Sequence, residues 1–587
     1  MSCFPTSRTT ISVHDNGNLS ESEKNSDLLH IFAMNMKRNQ MINALFAVAL
    51  AVLLPFLKTD GKDRFVNPVI PQDYSDPDVC RVGSDYWMTA SSFAGCPGLP
   101  ILHSTDLVHW ELVNYALPSL ASVGRPCLPG HGDGVWAPSI RFHDGEYYIY
   151  WGDPDYGIYM VKATEPDGHW SAPSLVKPGK GLIDPCPLWD ENGRCYLVHG
   201  WAKSRCGFNS VLCISELNPD GTGAIGSDVL VYDGNTDGNH TVEGPKLYKR
   251  EGWYWIFAPA GGVEKGWQLA MRSQDIYGPY EARIVMKEGK SGINGPHQGA
   301  WVSTSGGAGN NGADGSGVQD WFLNFRDTGP FGRVDYLNPM RWSKDGWPVI
   351  GTDGDGDGCG DPVADCGTPD LPEFNASLET SDEFNSPETG LQWQWSLDCG
   401  SQQYGFPSSE GFFRLLSFNA APGSNLWTVP GILLQKVSAV GCIATAKVSF
   451  DSIIKGERCG LTVFGLDYSA LCIENMGDRF EISLVTCKKA DKGGPEVRVA
   501  LSKAGAKELG KGIFSRNVCG PVWLRVEIGA DASVKYSFSI DGVKFKDAGV
   551  KAEAKEGKWV GARIGFFCEN FTEAGKGWMD IDYIRFE

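Results

Sequence analysis

Five times before residue 330, a turn residue is followed by an almost unbroken run of aromatic and apolar positions. The runs are GSDYWMTA, DGEYYIYW, NGRCYLVHG, EGWYWIFAP and VQDWFLNF, and they contain Tyr86, Tyr147, Tyr196, Tyr254 and Trp321. Gly, Asp or Asn stands ahead of each, as a hairpin requires. The steps between them are 61, 49, 58 and 67 residues. A near-regular period of this size signals a radial or stacked repeat, and each step is long enough for one four-stranded blade. A sandwich would not present the same hairpin five times at this spacing. The pattern therefore predicts an all-β chain with a five-bladed β-propeller over residues 66–350.

A second, polar pattern runs ahead of the aromatic one. Asp76 in SDPDV lies ten residues before Tyr86, and Trp136 in VWAPSI eleven before Tyr147. Asp184 in IDPCPL lies twelve before Tyr196, and Glu243 in VEGPKL eleven before Tyr254. His297 in PHQGAWV precedes Trp321 by more, because a Gly-rich stretch, STSGGAGNNGADGSG, intervenes and reads as a flexible loop. Alone, an Asp-Pro pair is a turn former and a tryptophan is core. Keeping phase with the strands changes that reading. In a propeller the innermost strand of each blade lines the central channel, so Asp76, Trp136, Asp184, Glu243 and His297 are expected at equivalent positions around one mouth. Carboxylates brought together raise one another's pKa at a cost in stability, which marks functional sites. Asp78, two residues after Asp76, is expected on the same face one step deeper, supporting the channel.

The pattern changes after residue 350. GTDGDGDGCGDPVADCGTPDLPE reads as a linker over residues 351–374. Asp353, Asp355 and Asp357 imitate the opening of a calcium loop, but Ala364 stands where its closing glutamate belongs, so the stretch reads as a solvated turn. Residues 375–587 carry many short strands, among them IATAKVSF, WLRVEIGA and ARIGFFCEN, and SIDGVKF suggests a two-residue Asp-Gly hairpin. A β-sandwich is predicted there. It brings no acid pair of its own, so its expected task is to pack beside the propeller, with carbohydrate binding as the alternative.

Residues 1–35 lack apolar periodicity and read as disordered or as an unused upstream segment. In residues 36–60, Lys37 and Arg38 precede MINALFAVALAVLLPFL, which has the length of a signal peptide; an uncleaved membrane anchor stays open. Secretion or a periplasmic location follows as the expectation. The formal net charge of -19 excludes nucleic acid and anionic membrane as partners of the molecule as a whole. A neutral oligosaccharide is compatible with it. Seventeen cysteines show no metal-ligand spacing; Cys359 and Cys366 are near enough in sequence to bridge, and the others read mainly as small apolar residues.

The ordered set NPVIPQDYSDPDV, GVWAPSI, LIDPCPLWDENGRCYLV, VEGPKLYKREGWYWIFA and FGRVDYLNPMRW resembles glycoside hydrolase family 43, in its β-xylosidase and α-L-arabinofuranosidase branch. The resemblance covers about residues 66 to 587 and implies a concanavalin-like fold for the sandwich. It implies Asp76 as general base, Glu243 as general acid and Asp184 as the carboxylate that tunes and orients the acid. It also implies Arg333 as a contact to the terminal sugar, Trp136 as one aromatic wall and Phe93, in SSFAGCPG, as a second. His297 resembles a channel histidine that lies near a bound calcium ion or water in relatives; no cofactor is required by the chemistry. Inverting enzymes separate acid and base by about 6.5–9.5 Å to admit a water, which blades one and four facing across a channel can satisfy. The expected activity is inverting exo-hydrolysis that releases terminal β-D-xylose, α-L-arabinofuranose or both. An endo-acting arabinanase and a non-catalytic carbohydrate-binding propeller remain as alternatives. The related fructoside-cleaving enzymes show NDPNG, RDP and EC, where this chain has SDPDV, IDP and VEGP.

Overall fold

The computed structural model describes residues 63–120, 131–304, 317–396, 404–501, 520–571 and 577–587. The upstream segment, the apolar export segment and most of the Gly-rich loop before Trp321 lie outside the described residues.

Five four-stranded antiparallel sheets, each taken in chain order, make the first half. Blade one comprises Asp78–Val82, Asp85–Thr89, Gly98–Ser104 and Glu111–Leu117. Blade two comprises Trp136–His143, Glu146–Asp153, Gly157–Ala163 and Ser174–Pro178. Blade three comprises Leu182–Trp189, Cys195–Trp201, Val211–Leu217 and Val229–Asp233. Blade four comprises Lys246–Arg250, Trp253–Ala260, Trp267–Ser273 and Glu281–Met286, and blade five His297–Ser303, Asp320–Asp327, Arg333–Trp342 and Pro348–Ile350. Each of the five aromatic runs is the second strand of its blade. Two of the turns ahead of them take both residues to positive φ, Asp144-Gly145 at 49° and 85° and Glu251-Gly252 at 52° and 78°. That geometry matches the twist of the flanking strands.

The unbroken apolar runs have a direct cause: each second strand is covered on both faces. Five apolar clusters fill the five blade-to-blade contacts. Leu99 and Ile101 meet Ile149 and Trp151 between blades one and two; Tyr150 and Met160 meet Cys195 and Leu197 between two and three. Val198 and Ile214 meet Ile256 and Met271 between three and four, and Trp255 and Phe257 meet Phe322 and Trp347 between four and five. Val79, Tyr86 and Leu102 of blade one close the ring against Ala300, Leu323 and Leu337 of blade five. The closure is reinforced by Asn67, whose side chain donates to the carbonyls of Leu337 and Val363, both at 2.9 Å, and accepts the Leu337 N–H at 2.9 Å.

The second half is a sandwich of an eight-stranded sheet, antiparallel but for the short Phe418–Asn419 strand, and a seven-stranded antiparallel sheet. Glu457–Phe464, Tyr468–Asn475 and Arg563–Asn570 are central in one sheet, and Cys442–Ser449, Val522–Ile528 and Trp578–Phe586 in the other. Leu461, Leu471 and Phe566 face Val448, Leu524 and Ile581 across the core. Asp541 and Gly542 do turn the chain, but in a loop from 540 to 545 rather than a two-residue hairpin, because the Asp541 carboxylate gathers the N–H groups of Val543 and Lys544 at 2.9 and 2.8 Å. Cys359 and Cys366 stand unbridged. The sandwich packs on the propeller: the His131 ring stacks on Trp427 with centroids 3.7 Å apart, and Trp395 forms a backbone bridge with Cys96.

Candidate active site

The proline in each inner-strand motif marks a backbone kink. Asp76, Ala137, Asp184 and Gly244, each followed by proline, have φ of 57°, 31°, 55° and 58°. This conformation is uncommon for residues other than glycine and collects at functional sites. The kink corrects the expected fivefold phase. Asp76 and Asp184 sit on it, whereas Trp136 and Glu243 lie one residue ahead of it, and His297 lies ahead of an irregularity in the pairing between His297 and Gly299. In a regular strand a one-residue offset would send a side chain to the opposite face. Here the kink breaks the alternation, so residues at both positions reach one mouth.

Their convergence is visible in the contacts. The Asp184 carboxylate accepts the Gly244 N–H at 2.8 Å, which ties it to the residue after Glu243. A Glu243 carboxylate oxygen lies 3.7 Å from Nε2 of His297. Asp76 accepts hydrogen bonds on one oxygen from the hydroxyls of Ser75 at 2.9 Å and Ser91 at 2.6 Å, while Arg333 approaches the other at 3.5 Å. The Ser91 oxygen also accepts the Ala137 N–H at 2.7 Å, so its proton is committed to Asp76. Likewise the Ser75 oxygen accepts from Arg333 at 2.8 Å. These donors fix the orientation of the Asp76 carboxylate.

Glu243 stands in the opposite condition. Its side chain keeps 39% of its surface open to the mouth, yet among the described residues it receives no hydrogen bond comparable to those on Asp76. Dense surroundings first, then the charges of Asp184 and Asp76, push its pKa up to about 8. Asp184 is also raised, by burial, against the Gly244 N–H and the charges of Lys246 and Arg333. The Arg333 charge acts on both acids, whereas the Gly244 N–H and Lys246 act on Asp184 and not on Glu243, which favours the proton on Glu243. Asp78 belongs to a separate set deeper in the channel: it is fully buried, and one oxygen takes the Ile140 N–H at 2.7 Å and the Arg141 guanidinium at 2.6 Å.

The aromatic residues form a cluster beside these acids. Phe93 is buried and lies edge-on to Trp136 at 6.3 Å, with Arg333 over its ring at 5.6 Å. Trp559, on the sandwich, meets both, 4.8 Å from Trp136 and 5.6 Å from Phe93. It is 42% exposed and has a φ of 62°. The sequence reading did not find it, since no periodic neighbour singles out a tryptophan in GKWVGA. Ser75 and Ser91 were missed for a similar reason: a serine signals nothing until its partner is known.

His297 is buried, and neither ring nitrogen has a hydrogen-bond partner among the described residues. Burial and Arg333 hold its pKa down at about 3, so the imidazole is neutral. A neutral ring nitrogen suits a water or a metal, but among the described residues no three such ligand atoms gather around it. The one such gathering is Asp353, Asp355 and Asp357, exposed in part and paired with Arg341, Lys290 and Lys287 at 3.3, 3.6 and 3.1 Å. Those ion pairs and the Gly356 and Gly358 N–H groups on Asp353 are what a solvated turn needs.

A propeller whose channel mouth holds one anchored carboxylate, one protonated carboxyl and an aromatic wall has the parts of a glycoside hydrolase. Comparison with known proteins agrees. Residues 65–348 match glycosyl hydrolases family 43, and residues 381–587 match the beta xylosidase C-terminal concanavalin A-like domain. A putative beta-xylosidase of Xylanibacter ruminicola is 35% identical over 507 residues, 86% of each chain. A non-reducing end alpha-L-arabinofuranosidase of Bacteroides ovatus is 28% identical over 73% of this chain and 79% of its own. The crystal structure of a xylan beta-1,4-xylosidase from Bacillus halodurans superposes with a TM-score of 0.74 at 23% identity, over 89% of this chain and all of that one, and so shares the fold. The chain belongs to glycosyl hydrolases family 43.

Proposed function

We propose that the protein is an inverting exo-glycosidase that releases terminal pentoses, β-D-xylose, α-L-arabinofuranose or both, from hemicellulose or arabinan oligosaccharides. The observation that carries this is the opposite condition of two neighbouring carboxyls: Asp76 anchored by hydrogen bonds from Ser75, Ser91 and Arg333, and Glu243 pushed up to about 8. Asp76 is the general base, taking a proton from a water that attacks the anomeric carbon. Glu243 is the general acid, giving its proton to the leaving glycosidic oxygen. Asp184 raises and orients that acid. Arg333 contacts the sugar hydroxyls, and Trp136 and Phe93 offer flat apolar faces to the ring. Trp559, reaching in from the sandwich to Trp136 and Phe93, supports action at chain ends over the endo reading, because a second domain closes on the aromatic cluster. The relatives named a putative beta-xylosidase and an alpha-L-arabinofuranosidase support both pentoses. No metal enters these steps; a calcium ion near His297 would be a structural addition held mainly through waters. Export belongs to the same proposal, since polymeric substrates lie outside the cell.

The test is hydrolysis of aryl β-D-xylopyranoside and aryl α-L-arabinofuranoside, with the anomer of the first product followed by NMR. Cleavage of either with inversion supports the reading, and the rate ratio gives the sugar. Retention, or trimming of internal arabinan bonds without cleavage of either glycoside, overturns it.

A further inference from the structure

Four consecutive residues, Asp73-Tyr74-Ser75-Asp76, grip Arg333 from every side. Asp73 accepts its backbone N–H at 2.9 Å, and the Tyr74 N–H donates to its carbonyl at 3.1 Å. Ser75 accepts from its guanidinium, and Asp76 faces the same nitrogen. All four contacts lie inside the propeller. Asp73 does one thing more: its second oxygen accepts the Gly561 N–H at 3.0 Å, from the sandwich loop that carries Trp559.

The surroundings are shaped for this carboxylate. Gly332 has a φ of 76°, and a Cβ there would come within 2.5 Å of both Asp73 Oδ1 and the Gly561 nitrogen. A Cβ on Gly561 would come within 2.5 Å of the Phe331 backbone. Two glycines thus let the propeller and sandwich backbones close around one buried acid. The same loop is held again where the Ala562 N–H donates to the Pro330 carbonyl at 2.7 Å. Arg563 and Lys436, both buried, are nearby cations, and Asp335 and Asp327 are acids that feel the Asp73 charge.

We infer that Asp73 is a positioning residue for sugar binding, a two-armed acceptor that sets the pocket arginine and the Trp559 loop in register with each other. It touches no substrate and acts through Arg333 and Trp559, so its loss should weaken sugar binding more than it slows bond cleavage. The inference rests on the reading of this mouth as a pentose site.

The test is Asp73→Asn in the full chain, with Trp559→Ala and the double variant, assayed on the aryl pentoside that the wild type cleaves. An amide must turn its NH2 toward one of the two N–H donors, and a hydrogen bond to a charged group is worth about tenfold or more in binding. KM and the inhibition constant of free pentose should therefore rise about tenfold in Asp73→Asn, with kcat within about threefold of wild type. The double variant should be no worse than the worse single variant, since both act on one loop. Hydrogen exchange should quicken in the peptides holding Arg333 and Gly561. Asp73→Glu keeps the charge facing Arg563 and misplaces the oxygens; it gives the same KM rise and decides the matter should the asparagine variant not fold. An unchanged KM, or fold-changes that multiply in the double variant, overturns the inference. A wild type that cleaves no aryl pentoside overturns the pentosidase reading instead. Exchange at Arg333 and Gly561 then decides Asp73 alone: unchanged exchange overturns its positioning role.

Discussion

Among the described residues, two groups of buried acids differ in how their charge is met. In the sandwich, Arg458 pairs with Glu569 through one face of its guanidinium and with Glu496 through the other, and Glu457 takes the N–H groups of Ile454 and Gly577 and the amide of Asn570. At the propeller mouth, three acids share one arginine that approaches Asp76 only at 3.5 Å. The first group is a cross-link between strands. The second anchors one carboxyl by hydrogen bonds and pushes its neighbour up to about 8, a division that acid-base chemistry can use. Burial of acids is common to both, and Glu569 too is pushed up to about 7; what belongs to the mouth is one arginine shared among three acids.

The largest effects should fall on the mouth. If Asp76 is the base, as proposed, Asp76→Asn removes it for every substrate, and a loss of about 10⁴-fold in kcat is expected with natural and activated glycosides alike. Glu243→Ala should cost about 10³-fold on xylo- or arabino-oligosaccharides and far less on an aryl glycoside, whose leaving group needs little protonation. Equal losses on both substrate types would remove Glu243 from the acid role. Asp184→Asn should cost about ten- to a hundredfold, with a distinctive pH signature. Rate requires the protonated acid, so activity falls as pH rises through the Glu243 pKa, pushed up to about 8 in part by Asp184. Removing that charge should move the alkaline limb of kcat/KM to lower pH.

How far the sequence foretold this comparison depends on the kind of signal. The blades were legible because turn and aromatic strand recur five times, and burial on both faces left unbroken runs such as EYYIYW. The three carboxylates were legible as members of that repeat. Their offset was not: the kink is occupied by Asp, Ala and Gly in different blades, so no residue type announces a positive φ. Trp559 and Asp73 were illegible because each matters through the other domain, and no local pattern records a contact between distant segments. The buried network around Arg458 was equally hidden, since isolated charges in strand sequences usually point to solvent.

The sandwich group breaks the comparison from the other side. Arg458→Met should leave activity per folded molecule unchanged. It strips the cation from Glu569 and Glu496, and breaking a buried pair costs about 3–5 kcal/mol. A fall of about 5–10 °C in Tm is expected in a chain of this size. Loss of kcat in the folded variant would mean that the two acid groups are not independent.

The smallest effect is a gain. Glu243 has a pKa raised above its unfolded value, so the folded state holds its proton where the unfolded chain has released it. At pH 4 both states carry the proton and nothing is lost. Between about pH 4.5 and 8, ionisation increasingly favours the unfolded chain, and stability falls as pH rises. Glu243→Gln keeps the shape and cannot ionise. It should match the wild type in Tm at pH 4 and exceed it near pH 8. Because the side chain is 39% open to solvent, screening reduces the gain to about 1 kcal/mol, or about 2 °C. A gain present equally at both pH values would mean that packing, not charge, sets the stability at Glu243, and the mouth would then resemble the sandwich group after all.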